Sequence, residues 1–553
     1  MQGLLKWNKG NVLLMLVLLS QTLQAQTQAW VYFKDKGNRT VEEIKNDFPL
    51  AGVERHTKQG IPFDDRDAYI PQAYLNEVDC KASFVFGHSR WLNAAVVEAT
   101  EEQFIQIASL PFVDRIEYLL PTTAYLTGGT EGEGEGEGEG EREGGNHFTE
   151  NLLTCEDQTN HLEAFLFKEN NIKATNVKVA VFDAGFKKFK EEEALQILRR
   201  HKQIKEVFDF LKENEDIYGY TEHGKNVLSF IAGSFDSTAL GLAPNAELYL
   251  ARVTPSSGYF HFLNEMYWIQ ALEWADERGV EIVNSSLSFT HQMYLRNQLD
   301  GKTCKVSIAA STALDKGILV VNAAGNEYNN SWETIGAPAD AEQVLCVGAV
   351  DEEKHYTHAY FSSIGPTMDM RIKPDVVALG ILHNSEDLTG TKLTGTSFAS
   401  PLVAGFAACV RQMHPDWSAK KLLEEIRKSG HLYPYYDYAH GYGIPQASYF
   451  LTPNSIPKTP YCFLLEATDS TRSEFELNVF SNDDADSTAT LQCLEELPIY
   501  YQWVRPDQSI KHYGVMIKNS DVPFPILIEK GKCDDCFLRV YFDHNLVELP
   551  TDE

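Results

Sequence analysis

The stretch Leu393-Thr394-Gly395-Thr396-Ser397-Phe398-Ala399-Ser400-Pro401 sets a serine between a glycine turn and the apolar run Pro401 to Val410. That run predicts a buried helix, with Ser397 at or just before its first turn. A hydroxyl so placed can attack a carbonyl, because backbone N–H groups at a helix N-terminus stabilise the oxyanion that results. Serine ahead of a helix is also an ordinary N-cap, so the partners decide. Attack needs a base to take the hydroxyl proton and a carboxylate to hold that base in one tautomer. Three segments supply candidates: Asp183 in Val181-Phe182-Asp183-Ala184-Gly185, His223 in Glu222-His223-Gly224, and Asn326 in Ala323-Ala324-Gly325-Asn326, whose amide could donate to an oxyanion. Singly, each is equally a turn former, a surface histidine or a loop amide.

From about 150 to 450, short apolar strands alternate with helical segments, which predicts an α/β unit with a parallel sheet covered by helices on both faces. Strands are expected at 177–182, 281–285, 318–322 and 344–350. Ligand sites in such sheets lie beyond the carboxyl ends of the strands. Asp183 follows the first of these strands, and Ala323-Ala324-Gly325-Asn326 follows the third.

In the order Asp, His, Asn, Ser, and with these local contexts, the chain resembles the subtilisin-like serine protease family, whose Asp, His, Ser chain order is distinctive. The likeness extends to Gly241-Leu242-Ala243-Pro244-Asn245-Ala246, Val283-Asn284-Ser285-Ser286-Leu287-Ser288, Phe361-Ser362-Ser363-Ile364-Gly365-Pro366 and Lys373-Pro374-Asp375-Val376-Val377-Ala378. It implies a secreted endopeptidase, with Asp183 orienting His223, His223 as general base and then acid, and Ser397 as nucleophile. Asn326 and the Ser397 N–H would form the oxyanion hole. It further implies that Ser286, Leu287 and Ser288, with Ala323, Ala324 and Gly325, flank the pocket for the residue before the scissile bond. The family often has glycine where Ser288 stands, which suggests a tighter pocket edge. Where it usually has Thr after His-Gly, this chain has Lys225, a cation that would lower the imidazole pKa if it pointed inward. No metal or other cofactor is called for. A protease-like binding protein without turnover is the alternative. Activity is expected to rise with pH across the range where an ordinary imidazole, pKa about 6.5, loses its proton.

At 553 residues the chain exceeds one compact domain. Its net charge of −31 disfavours nucleic acid and anionic membrane surfaces as partners. Lys6, Lys9, the apolar stretch Val12 to Leu19 and the small residues near Ala25 form a signal-peptide pattern over 1–25, too short for a membrane span. Residues 26–127 form a small α+β unit that resembles a subtilase propeptide, an intramolecular inhibitor. Its capping box Thr100-Glu101-Glu102-Gln103 precedes a stripe of Phe104, Ile107 and Ala108, and a closing strand is expected at 115–119.

Residues 128–146, with seven glutamates and one arginine among glycines, make an acidic tether open to cleavage. The catalytic unit is expected over 147–455, and a β-sandwich-like domain over 456–553. Strands are expected there at 475–480 and 537–542. The polypeptide substrate and the propeptide are the expected partners of a monomer. Nine cysteines leave an odd count: Cys346 and Cys409 lie in apolar runs as free thiols, Cys80, Cys155, Cys304, Cys462, Cys493, Cys533 and Cys536 are open to bridging, and Cys533 to Cys536 favours a disulfide or thiols over metal.

Overall fold

The computed structural model describes residues 26–119, 157–235, 238–255, 262–290, 293–352, 355–384, 387–452, 461–467, 474–481, 498–517, 526–529, 535–542 and 544–550. The signal segment 1–25 and the acidic tether 128–146 lie outside the described residues. The chain divides into two compact units, one of Met1–Phe48 with Phe63–Gly132 and the other of Pro49–Pro62 with Glu133–Glu553.

The first unit is a four-stranded antiparallel sheet in the order Phe84–Ser89, Ala94–Ala99, Thr27–Phe33, Val113–Tyr118. The helix Glu101–Ala108 opens on the expected capping box: Gln103 N–H donates to the Thr100 hydroxyl at 3.3 Å, and Thr100 N–H to the Gln103 side chain at 2.8 Å. Its buried stripe is Phe104, Ile107 and then Leu110, while Ala108 faces solvent. Steps of three residues keep one helix face inward, and Ala108 falls off that face.

In the second unit the central sheet runs Thr357–His358, Leu345–Asp351, Leu319–Ala323, Ile282–Ser285, Lys178–Asp183, Glu247–Arg252, Ile204–Asp209. Val376–Leu379 pairs in parallel with Leu345–Asp351, and only Thr357–His358 runs antiparallel. The four expected strands are all present within one residue of their predicted bounds. Every residue of Ile282–Ser285, Leu319–Ala323 and Leu345–Asp351 is buried, as parallel strands covered on both faces require. Two helices buried along almost their whole length, His223–Ala232 and Thr396–Met413, pack against each other and the sheet.

The helix Leu50–Gln59, inside the stretch read from sequence as one small unit, clusters with this second unit. Its buried Arg55 pairs with the Asp276 carboxylate and donates to Val280 O at 2.9 Å. Gln59 donates to Gly317 O at 3.0 Å. Buried polar heads of this kind are stable only with such partners.

Residues 461–549 build two antiparallel sheets, one of Tyr461–Ala467, Glu474–Ser481 and Ile526–Glu529, the other in the order Ile510–Ile517, Pro498–Val504, Phe537–Phe542, Asn545–Leu549. Phe475 and Leu477 of the first pack with Ile499, Trp503, Leu538, Val540 and Phe542 of the second, which makes the expected sandwich. Leu432 and Tyr435 pack with Tyr500 and Tyr541 of the sandwich, and Tyr541 Oη donates to His431 O. Cys346 and Cys409 are buried free thiols. Cys80 and Cys304, which were open to bridging, are free as well, whereas Cys536 is disulfide-bonded.

Candidate active site

Asp183, the last residue of its strand, is fully buried, and its Oδ1 accepts the Ala184 N–H at 2.7 Å. Both carboxylate oxygens lie 2.9 Å from His223 Nδ1. A carboxylate on Nδ1 fixes the proton there and leaves Nε2 as the basic nitrogen. The approach depends on Gly224: a Cβ at that position would stand 2.5 Å from Gly185 O and 2.8 Å from Asp183 Cβ. The start of the histidine helix is thereby seated on the end of the aspartate strand, and the Gly224 N–H donates to Gly185 O at 3.1 Å.

Ser397 is the second residue of the helix Thr396–Met413, after Gly395. Its N–H lies in the first turn, where backbone donors have no partner within the helix. Pro401, inside the same helix, has no N–H to give the Ser397 carbonyl four residues earlier. That carbonyl instead accepts the Ser286 hydroxyl at 2.8 Å, and Ser397 Oγ lies 3.3 Å from Ser286 O. The pair joins the serine helix to the carboxyl end of the strand Ile282–Ser285. The His223 ring rests against Phe398, the next residue, with centroids 5.6 Å apart.

Asn326 is the third convergent group. Its Oδ1 accepts both the Thr396 N–H and the Thr396 hydroxyl, each at 2.9 Å, so its Nδ2 is the half of the amide that Thr396 does not engage. The Gly325 N–H donates to the same Thr396 hydroxyl at 3.3 Å, and Ser363 Oγ accepts the Glu327 N–H at 3.1 Å. Asp183, His223, Ser397 and Asn326 are thus joined by a short series of contacts at the carboxyl ends of the central strands. The segments expected to flank a pocket lie beside them. Asn322 Nδ2 ties them together, donating to Leu287 O at 2.9 Å and Ala323 O at 2.8 Å.

Lys225 is buried in an ion triad with Glu192 at 3.0 Å and Glu222 at 3.2 Å. Burial alone would raise the Glu222 pKa, but hydrogen bonds and charges from Lys188 and Lys225 outweigh it and hold the carboxyl below its usual range. Glu192 gave no sequence signal, since it lies 33 residues before Lys225 in an ordinary acidic stretch. Arg252 was also missed. In register with Asp183 and Asp209 on its two neighbouring strands, it pairs with Asp209 at 2.9 Å, donates to Ala184 O at 3.0 Å and lies over the Tyr220 ring. A charged residue following the apolar run Leu248 to Ala251 was the available signal.

Among the described residues, no group of three or more His, Cys, Asp or Glu side chains could hold a metal ion, and no helix is long and apolar enough to cross a membrane.

Comparison with known sequences places these features in context. The model of the subtilase family matches residues 174–443, and that of the peptidase S8 propeptide domain of Bacteroidota matches residues 28–132. Subtilisin DY of Bacillus licheniformis is 33% identical over 258 residues, 46% of this chain and 83% of its own length. Subtilisin of Bacillus pumilus is 31% identical over 264 residues, 46% of this chain and 84% of its own. For subtilisin NAT of Bacillus subtilis subsp. natto the identity is also 31%, but the match covers only 60% of that protein's length.

Proposed function

The chain belongs to the subtilase family and carries a propeptide domain ahead of the catalytic one, and from that premise we propose that it is an exported serine endopeptidase made as an inhibited precursor. The observation that carries this reading is the His223 imidazole held by both oxygens of a buried aspartate and packed against the residue after Ser397. With Nδ1 occupied, His223 Nε2 takes the Ser397 proton as Oγ attacks the scissile carbonyl. Negative charge then develops on the carbonyl oxygen, where Asn326 Nδ2 and the Ser397 N–H would receive it. Collapse passes the proton from His223 to the leaving amine and leaves an acyl-enzyme. Water repeats the sequence and frees the acid. A donor such as Asn326 contributes about 2.7–4 kcal/mol at the transition state.

The binding-protein alternative has two grounds, Lys225 and the C-terminal β domain; the pairing of Lys225 with Glu192 and Glu222 weakens the first and leaves the second standing. A fluorophosphonate probe tests the assignment: processed protein is expected to label at Ser397, and labelling should vanish in Ser397→Ala. Processed protein that takes no label would return the alternative. Intact mass of the exported product checks the precursor route, with a mature N-terminus expected within or near 128–146 and Ser397→Ala retaining the 26–127 segment.

A further inference from the structure

We infer that the Ser288 hydroxyl closes the floor of the pocket for the residue before the scissile bond, so that this peptidase cleaves after small side chains (Gly, Ala, Ser) rather than after aromatic or long aliphatic ones. The inference rests on the peptidase reading above and specifies its substrate class.

Three backbone arms meet beside Ser397. The first is Ser286–Phe289, continuing the strand Ile282–Ser285. The second is Ala323–Gly325, ending the neighbouring parallel strand. The third is Gly336–Ala337, tied to the others by Gly336 N–H to Ala324 O at 3.2 Å, Phe289 N–H to Ala337 O at 2.8 Å and Ala337 N–H to Phe289 O at 3.0 Å. A carbonyl attacked by Ser397, with its oxygen toward Asn326, sends the preceding side chain between these arms.

Two glycines face that space, and Ser288 already occupies it. A Cβ on Gly336 would stand 1.9 Å from Ser288 Oγ, and one on Gly325 would stand 3.1 Å from the same atom. Thr290 Cγ2 and Ser363 Oγ close the remaining sides, 3.0 Å from the first of these points and 2.9 Å from the second. Successive side chains of an extended segment alternate in direction. Asn284 accepts the Ser400 hydroxyl at 2.8 Å and Ser286 donates to Ser397 O at 2.8 Å, so both even-numbered residues face the serine helix, and Ser288 is the next of them.

Ser288 Oγ is buried and has no hydrogen-bond partner. An unpartnered buried hydroxyl is unfavourable for a protein to keep unless something completes it. A small substrate side chain leaves that hydroxyl where it stands. A phenyl ring would have to displace it, and discrimination of tenfold or more is usual when a pocket is short by one or two heavy atoms.

The test uses the processed enzyme and two chromogenic tetrapeptides identical except for alanine or phenylalanine before the scissile bond. The wild type is expected to favour alanine at least tenfold in kcat/KM. Ser288→Gly should raise the ratio of kcat/KM for phenylalanine over alanine at least tenfold. Independently of any variant, mass spectrometry of cleavage sites in an unfolded protein substrate should show Gly, Ala and Ser dominating before the cut. Wild type that cleaves after phenylalanine as well as after alanine, or a Ser288→Gly ratio within twofold of wild type, overturns the pocket assignment alone. A wild type that cleaves neither peptide and takes no probe at Ser397 overturns the peptidase reading, and the pocket with it.

Discussion

As the proposed oxyanion donor, Asn326 has only one half of its amide to offer, because Thr396 occupies the other with two hydrogen bonds of 2.9 Å. Asn326→Ala should therefore lower kcat about 10²–10³-fold with KM little changed, the signature of an interaction made mainly in the transition state. Steady-state kinetics on the tetrapeptide with alanine before the scissile bond checks the split. A loss carried mostly by KM would instead assign Asn326 to ground-state binding. The four groups proposed for the chemistry were legible in the sequence because each sits in a short segment whose residue types the chemistry dictates. Thr396 was legible only as part of the serine motif. Its task of orienting an amide 70 positions away is a tertiary fact. The direction of Lys225 was open for the opposite reason: adjacency in sequence could not tell whether it pointed inward, and its ion-pair partners Glu192 and Glu222 are tertiary.

At the scale of elements, the site is where three strand ends and two helix starts meet, and each junction has its own chemical fastening. The histidine helix is seated by Gly224 against Asp183, the serine helix by the exchange of hydrogen bonds with Ser286. A third fastening, the Lys225 triad, lies in the first turn of the histidine helix. The Lys225 side chain is fully buried and that of Glu192 is 1% exposed, so removing the cation strands a carboxylate in the interior. Lys225→Met should cost about 3–5 kcal/mol of stability, read as a lowered melting temperature in the Ser397→Ala background, which cannot digest itself. Adding Glu192→Gln should recover part of the loss. A second substitution that only deepens it would show that packing, not charge, is at stake. Four of the central strands were legible because buried parallel strands are unbroken apolar runs, whereas the half-buried Ile204–Asp209, with its charged residues, gave no such signal. The helix Leu50–Gln59 was not assigned to the second unit: Arg55 and His56 look like surface residues in one dimension, and only Asp276 and the carbonyl of Val280 make Arg55 an interior residue.

Across the second unit, acid is the condition that should take the fold apart, and two buried histidines say where. His161 Nε2 accepts the Leu379 N–H at 3.2 Å, and His431 Nδ1 accepts the Ile444 N–H at 2.8 Å. Each is an acceptor only while neutral. Burial, opposed slightly by a backbone hydrogen bond, pushes the His161 pKa down to about 3, and burial together with the positive potentials of His440 and His544 does the same for His431. Above about pH 6.5 folded and unfolded chains both hold these rings neutral, and they contribute no pH dependence. As pH falls below that value the unfolded chain takes up a proton at each ring, while the folded chain refuses it until near pH 3. Each histidine then removes about 1.4 kcal/mol of stability per unit of pH. None of this was legible beforehand, since nothing in the sequence around His161 or His431 announces its burial. Melting of the Ser397→Ala chain should be level from pH 8 to 7 as far as these rings are concerned and then fall below 6.5. In His431→Gln, whose amide oxygen can still accept the Ile444 N–H, the fall should be shallower by one proton's worth. Variant and parent curves descending in parallel between pH 6 and 4 would remove His431 as a source of the acid lability and leave the burden on other groups that titrate in the same window.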